Sequence, residues 1–169
     1  MALPHFVKQS TIIADGFGQL GKMESVKLPD LKQVFEDWRG GGMPGAVEVE
    51  LGIEKMQIEF KIGGVDRNLL KMWGLQQGAI KPFQILGHAV AEDSDESLGV
   101  SAYVRGKLGE IEFDEFKTGS LANISYVVKM HYYRLRVGDE DMVEYDPINL
   151  VYKIGGVDQL AAQRANLGL

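Results

Sequence analysis

Apolar and polar residues alternate strictly along two neighbouring stretches, Val47-Glu48-Val49-Glu50-Leu51 and Gln57-Ile58-Glu59-Phe60-Lys61-Ile62. Period-two alternation puts one set of side chains on a covered face and the other in water, so both stretches predict β-strands. Ile53 to Met56 is short enough to close them into a hairpin over 47–62. That hairpin would turn Val47, Val49, Leu51, Ile58, Phe60 and Ile62 to the core, and Glu48, Glu50, Gln57, Glu59 and Lys61 outward. Phe83 to Val90 predicts a further strand, with Pro82 at its start, where a missing N–H does least harm. The acidic run Glu92 to Glu96 reads as a loop, after which Val100, Ala102, Val104 and Leu108 resume the alternation. Residues 123–137 carry the longest β signal, rich in Ile, Val, Tyr and Leu. Asp146-Pro147 predicts a turn, and Ile148 to Ile154 a strand after it.

Two short helices are expected, at about 66–73 and 158–166. Asp66 suits an N-cap, Leu69, Leu70 and Trp73 share one face, and Gly74 suits the residue past the end. The second follows Asp158 through Leu160, Ala161, Ala162 and Arg164 to Gly168. The same hexapeptide, Lys-Ile-Gly-Gly-Val-Asp, precedes both, at 61–66 and 153–158. It reads as a reused turn followed by a cap. Residues 31–38 admit two readings. Leu31, Val34, Phe35 and Trp38 fall at helical spacing, and the same residues also suit an extended arm. Arg39-Gly40-Gly41-Gly42-Met43-Pro44-Gly45 follows, a segment whose glycines make any single conformation entropically costly.

Composition narrows the class. Of 169 residues, 45% are apolar and 25% charged, the balance of a folded domain. One domain over 1–169 is expected, and the 21 glycines spread along it suit a fold with many turns. The net charge of −6, with Lys and Arg dispersed, argues against nucleic-acid binding through a basic surface. The absence of cysteine excludes disulfides and thiolate metal sites. Residues 1–11 carry no signal-peptide pattern and no apolar run is long enough to span a bilayer, so synthesis in the cytosol without membrane insertion is expected.

Catalytic chemistry finds little support. Gly16-Phe17-Gly18-Gln19-Leu20-Gly21 matches G-x-G-x-x-G, but the following Lys22 to Pro29 reads as a strand and not as the helix that would hold a pyrophosphate. A glycine-rich β-turn is the expected structure. His5, His88 and His131 are too far apart in sequence to form a local metal pair. The run 92–96 lacks the spacing and glycine of a calcium loop. No catalytic, cofactor or metal residue is assigned, and a non-enzymatic protein is expected.

Three segments carry a resemblance. Asp37-Trp38-Arg39-Gly40-Gly41-Gly42-Met43, Tyr145-Asp146-Pro147-Ile148-Asn149, and Gly155-Gly156-Val157-Asp158-Gln159-Leu160 with Arg164 and Leu167-Gly168-Leu169 occur in order along the chain. Together they resemble segments of the major tail tube proteins of contractile-tailed phages and R-type pyocins. The resemblance implies a mainly β subunit, a barrel or sandwich with long hairpins and a flanking helix. It implies six subunits to a ring and rings stacked into a tube, in a virion tail assembled in the host bacterial cytoplasm. Implied partners are further copies of the chain, a tail sheath protein, baseplate or initiator proteins and a tape-measure protein, with DNA passing through unbound. The resemblance favours the extended form of 31–38 and makes 37–46 an inter-subunit arm. It also places hairpins inside the tube, so Glu48, Glu50, Glu59 and Lys61 are expected to face the bore. A type VI secretion tube protein would share this architecture. A ligand-binding β-barrel is the alternative of a different class.

Overall fold

A computed structural model describes residues 3–169. The elements run β1 (His5–Ala14), β2 (Phe17–Gly18), β3 (Met23–Lys27), β4 (Gln33–Trp38), β5 (Val47–Ile53), β6 (Gln57–Gly63) and α1 (Arg67–Leu70). They continue with β7 (Lys81–Ala91), β8 (Ser97–Phe113), β9 (Asn123–Val137), β10 (Glu140–Asp146), β11 (Val151–Ile154), β12 (Val157–Asp158) and α2 (Ala161–Asn166). All strand pairs are antiparallel.

β8 and β9 organise the sheet. They pair from Val100↔Val137 to Phe113↔Ile124. The other side of β9 is divided. Its first half takes β6, from Gln57↔Lys129 to Gly63↔Asn123, and its second half takes β10, from Tyr145↔Tyr133 to Glu140↔Val137. β8 is divided likewise. Its first half pairs with β7 as far as Lys81↔Gly106, and beyond that its outer edge has no partner strand among the described residues. β1 and β2 extend the β7 side, β11 and β12 the β10 side, and β3 pairs with β6.

Two bulges mark the change of neighbours: His131 is the extra residue of β9 opposite Arg105–Gly106, and Gly109 is the extra residue of β8 between Leu108 and Glu110. Gly106 is required by close approach. A Cβ there would lie 2.4 Å from the Lys129 carbonyl oxygen and 2.9 Å from the Met130 Cα, both backbone atoms with little room to move.

The sheet curls around one apolar cluster. Ile58, Phe60 and Ile62 of β6 meet Ile124, Tyr126 and Val128 of β9, with Ile12, Phe83, Val104 and Tyr133 closing around them. Phe60 stacks on Tyr126 with centroids 5.1 Å apart. Leu69 and Met72 cover the cluster from the α1 turn. Asp66 caps that turn as expected, accepting from the Asn68 and Leu69 amides at 2.9 and 3.2 Å and from Lys22 Nζ at 2.9 Å. Burial raises the Asp66 pKa, but the Lys22 hydrogen bond and the two amides outweigh it and leave the group below 3.8.

The mainly β expectation holds, although the strand order runs open from β12 to β2 and the sheet does not close on itself. Within residues 31–38 the extended reading holds from Gln33 to Trp38, which form β4. Both helices are shorter than expected, because 71–74 continues as turns and Asp158 belongs to β12. The strand expected from Ile148 begins at Val151, since Asp146 holds the preceding turn by accepting from the Ile148 and Asn149 amides. The repeated hexapeptide takes two forms. Gly155 and Gly156 both have positive φ in a two-residue hairpin, whereas Gly63 stays in β6, paired with Asn123, and only Gly64 turns.

The 47–62 hairpin is overturned. β5 pairs with β4, and β6 pairs with β3 and β9. The apolar face of β6 is drawn between β3 and β9, while Gly52, at φ 139°, bends the chain away from it. Val47, Val49 and Leu51 accordingly lie exposed and not in the core.

Two outcomes follow. Gly106→Ala should lower the unfolding free energy in urea by about 1–3 kcal/mol, the usual range for overpacking, whereas Gly41→Ala should change it by less than about 0.5 kcal/mol. For Asp66→Ala the cap loss should be about 1 kcal/mol at neutral pH. Its folded-state pKa is depressed, so this contribution is complete above the unfolded value and lost as pH falls through the folded one. The difference in stability between wild type and variant should therefore hold steady above pH 3.8 and shrink below it.

Candidate assembly surfaces

The hairpin β4–β5 forms a sheet of its own, outside the ten-stranded one. Register sorts its side chains. Phe35 faces Glu50, Glu36 faces Val49, Asp37 faces Glu48 and Trp38 faces Val47. Directly opposed residues share a face, and successive residues alternate between faces. One face therefore carries Gln33, Phe35, Asp37, Glu48 and Glu50, and the Gln33 side-chain amide donates to Glu50 at 3.0 Å. The other carries Val34, Glu36, Trp38, Val47 and Val49, with Leu51 the extra residue of a bulge opposite Val34–Phe35.

The second face is apolar and bare. Its four hydrophobic side chains are 40–58% exposed, and Leu51 in the bulge is 59% exposed. An isolated two-stranded ribbon is marginal in water, and stable hairpins bury such a face against something. The first face has the opposite problem. Asp37 and Glu48 are directly opposed like charges with Glu50 two residues on, an arrangement that weakens the pairing.

The connecting segment, residues 39–46, turns at Gly40–Met43. Arg39 Nε donates to the Met43 carbonyl at 3.1 Å, and the Gly40 amide points at Met43 Sδ at 3.2 Å. Gly40 lies under the Trp38 ring, where a Cβ would come within 2.7 Å of it. Asp37 to Met43 thus form one local unit at the ribbon's end.

Glu59 and Lys61 lie elsewhere, on the outward face of the four-strand block β3–β6–β9–β8. Two rows cross it: Lys27, Glu59, Val127, Glu110 and Ser25, Lys61, Ser125, Glu112. Lys129 Nζ sits 3.0 Å from Glu110 and donates to Gln57 at 2.5 Å, and Gln57 donates to Glu59 at 2.9 Å. The structure therefore separates the four bore candidates into two pairs: Glu48 and Glu50 on the ribbon, Glu59 and Lys61 on the block.

The other two resemblance segments tie down the corner formed by β10, β11, β12 and α2. Asp146 is buried and also accepts from the Asn149 side chain at 2.6 Å. Arg164 pairs with Asp158 and donates to the Leu150 carbonyl at 2.7 Å. The Arg164 hydrogen bond, followed by that of the Leu160 amide, holds the Asp158 carboxyl below the usual range. Leu150 itself has φ 53°, a conformation rare for a residue with a Cβ.

Catalytic geometry does not emerge from the glycine motif. Asp15 and Gly16 form the two-residue turn between β1 and β2, and Gly21 leads into β3, so the motif does not open a helix. No helix among the described residues is long and apolar enough to cross a membrane.

Known proteins converge on one identity. The family model described as phage tail tube protein FII matches residues 4–168. The tail tube protein of Escherichia phage P2 is 31% identical over 172 residues, covering 100% of both chains. The major tail tube protein of Serratia phage KSP20 is 34% identical over 158 residues, covering 92% of this chain and 91% of that one. The fold is shared with a chain of the PVC sheath-tube complex of an extracellular contractile injection system, at TM-score 0.60 and 14% identity over 79% of this chain and 91% of that one. A chain of the anti-feeding prophage tube-terminating cap gives TM-score 0.61 at 14% identity, covering 82% and 94%. The chain belongs to the phage tail tube protein FII family: it is a structural subunit of a tail tube, part of the virion tail, and not an enzyme.

Proposed function

We propose that the subunit joins into rings of six that stack head to tail into a hollow tube within a contractile tail, with 37–46, at the tip of the β4–β5 ribbon, as the arm between copies. The observation that carries this is the ribbon's apolar face, which no part of the described chain covers. A repeating head-to-tail contact supplies a cover for every copy except those at the ends. Sheath, baseplate or initiator and tape-measure proteins are the remaining partners. The sheath–tube and tube-cap assemblies that hold chains of this fold support the sheath and the tube ends. Sizing and negative-stain microscopy test the reading, which requires rings or tubes; a strict monomer at high concentration with initiator supplied would sink it.

The arm comprises 37–46 at the ribbon's tip, with Asp37, Trp38, Arg39, Gly40, Gly41, Gly42 and Met43 as its contact unit. The glycines raise the entropy cost of fixing it, so it orders fully only against a neighbour. Arg39→Ala, and Val49→Lys on the apolar face, should each impair polymerisation. Both residues are exposed, so the subunit's own unfolding free energy should change by less than about 0.5 kcal/mol. Equal loss of stability and assembly would make the ribbon ordinary core structure.

Glu48, Glu50 and Glu59 line the bore in this reading, with Lys61 beside Glu59, and repel passing phosphates. Salt screens that repulsion over about 8 Å at physiological strength. Tubes of the triple variant Glu48→Lys, Glu50→Lys, Glu59→Lys should retain DNA at low salt and release it as salt rises, while wild-type tubes retain none. A tube structure with these three glutamates on the outer wall contradicts the assignment.

A further inference from the structure

Met43 is placed unlike any other described methionine. Met56 and Met72 belong to the apolar core, and Met23, Met130 and Met142 pack against it. Met43 lies in the arm instead. From Leu31 to Glu50 every residue is exposed except Gly40 and Met43, which are half-buried. Solvent therefore reaches all around the turn that holds this thioether, whereas the core shields the other five.

The side chain is also part of what closes the turn. The Gly40 amide donates to Met43 Sδ at 3.2 Å, and the Met43 amide donates to the Gly40 carbonyl at 3.2 Å. Arg39 Nε donates to the Met43 carbonyl at 3.1 Å. Gly40, Gly41 and Gly42 have little conformational preference of their own, so these contacts decide the shape of the tip. Three of them converge on Met43, one through its sulphur.

We propose that Met43 is an oxidation site, and that its sulfoxide takes the subunit out of assembly. The proposal rests on the arm reading above. A hydroperoxide is the oxidant. The sulphur lone pair attacks one peroxide oxygen, the O–O bond breaks, and sulphur keeps that oxygen while the other leaves as water or an alcohol. Sulphur is oxidised by two electrons and the peroxide is reduced by two. A dithiol sulfoxide reductase runs the return step: two thiols become a disulfide and the oxygen departs as water. Oxidation turns a flexible apolar side chain into a polar one. The oxygen draws density from sulphur, so Sδ no longer accepts from the Gly40 amide, and the new oxygen demands water or a donor. The turn opens, and the contact unit 37–43 loses both its shape and an apolar member.

Peroxide titration of free subunits, read by peptide mass spectrometry, tests the site. Met43 should gain one oxygen before Met23, Met130 and Met142 do. Subunits oxidised at Met43 should need a roughly two- to tenfold higher concentration to form tubes, the factor that one net hydrogen bond represents. Sulfoxide reductase with a dithiol should restore the original value. Met43→Gln, polar and of similar length, should match the oxidised subunit without peroxide. Met43→Leu lacks the sulphur acceptor from the start, so its assembly should not change further when peroxide is added. Met43 oxidising no sooner than the three core-packed methionines overturns the site. Full oxidation at Met43 with an unchanged assembly concentration overturns its effect, as does a Met43→Leu subunit that peroxide disables as it does the wild type. Untreated wild type that forms no tubes instead removes the ring reading, and the effect on assembly with it.

Discussion

Backbone hydrogen bonding along β9 is the constraint on which the rest of the molecule depends. A central strand of this length must satisfy amides and carbonyls on both sides, and burial leaves no alternative partner for those inside the core. β8 meets the requirement on one side as a single partner. On the other side no one strand does, and β6 and β10 divide the task near Met130. Everything on the β6 side becomes the block with open edges. Everything on the β10 side becomes the stapled corner that ends in α2. The close approach at Gly106 lies where the two territories meet.

Strand identity was legible where alternation or β-branched density was strong. β9 was read with its observed ends, and β6 and β7 within a residue or two. Partner choice was not legible for β5 and β6. Both have the same alternating pattern and a four-residue link, and alternation says only that a face is covered, not by what. The distinction lies in Gly52 and in β3, which offers β6 a neighbour. β1 gave no signal because Lys8-Gln9-Ser10 interrupts its apolar residues, and its place depends on β7. β10 carries little signal for a similar reason: Glu140 to Asp146 mixes acids with Met, Val and Tyr, and it is a strand because β9 and β11 flank it.

The segments that signal the family serve different purposes. Asp146 and Arg164 hold local backbone in place: the first orders a turn, the second secures a carbonyl next to a left-handed leucine. Arg164 stays within its own corner, and Asp146 also sits 3.8 Å from Arg105 of β8. The Arg-Gly-Gly-Gly-Met segment is the reverse, making few contacts within the subunit beyond those to itself. Residue patterns of equal clarity in sequence thus divide into internal staples and a surface left for others, and only the fold separates them. The separation of Glu48 and Glu50 from Glu59 and Lys61 has the same origin, since one misassigned pairing moved half of a supposed hairpin onto the ribbon.

The like-charge pair on the ribbon has a consequence for the dispersed protein. Two ribbons meeting acidic face to acidic face would bring six carboxylates together, from Asp37, Glu48 and Glu50 of each. Coulomb repulsion at that spacing opposes contact between two such faces. The three acids that weaken the ribbon's own pairing thus leave its apolar face as the side on which a second copy can meet it.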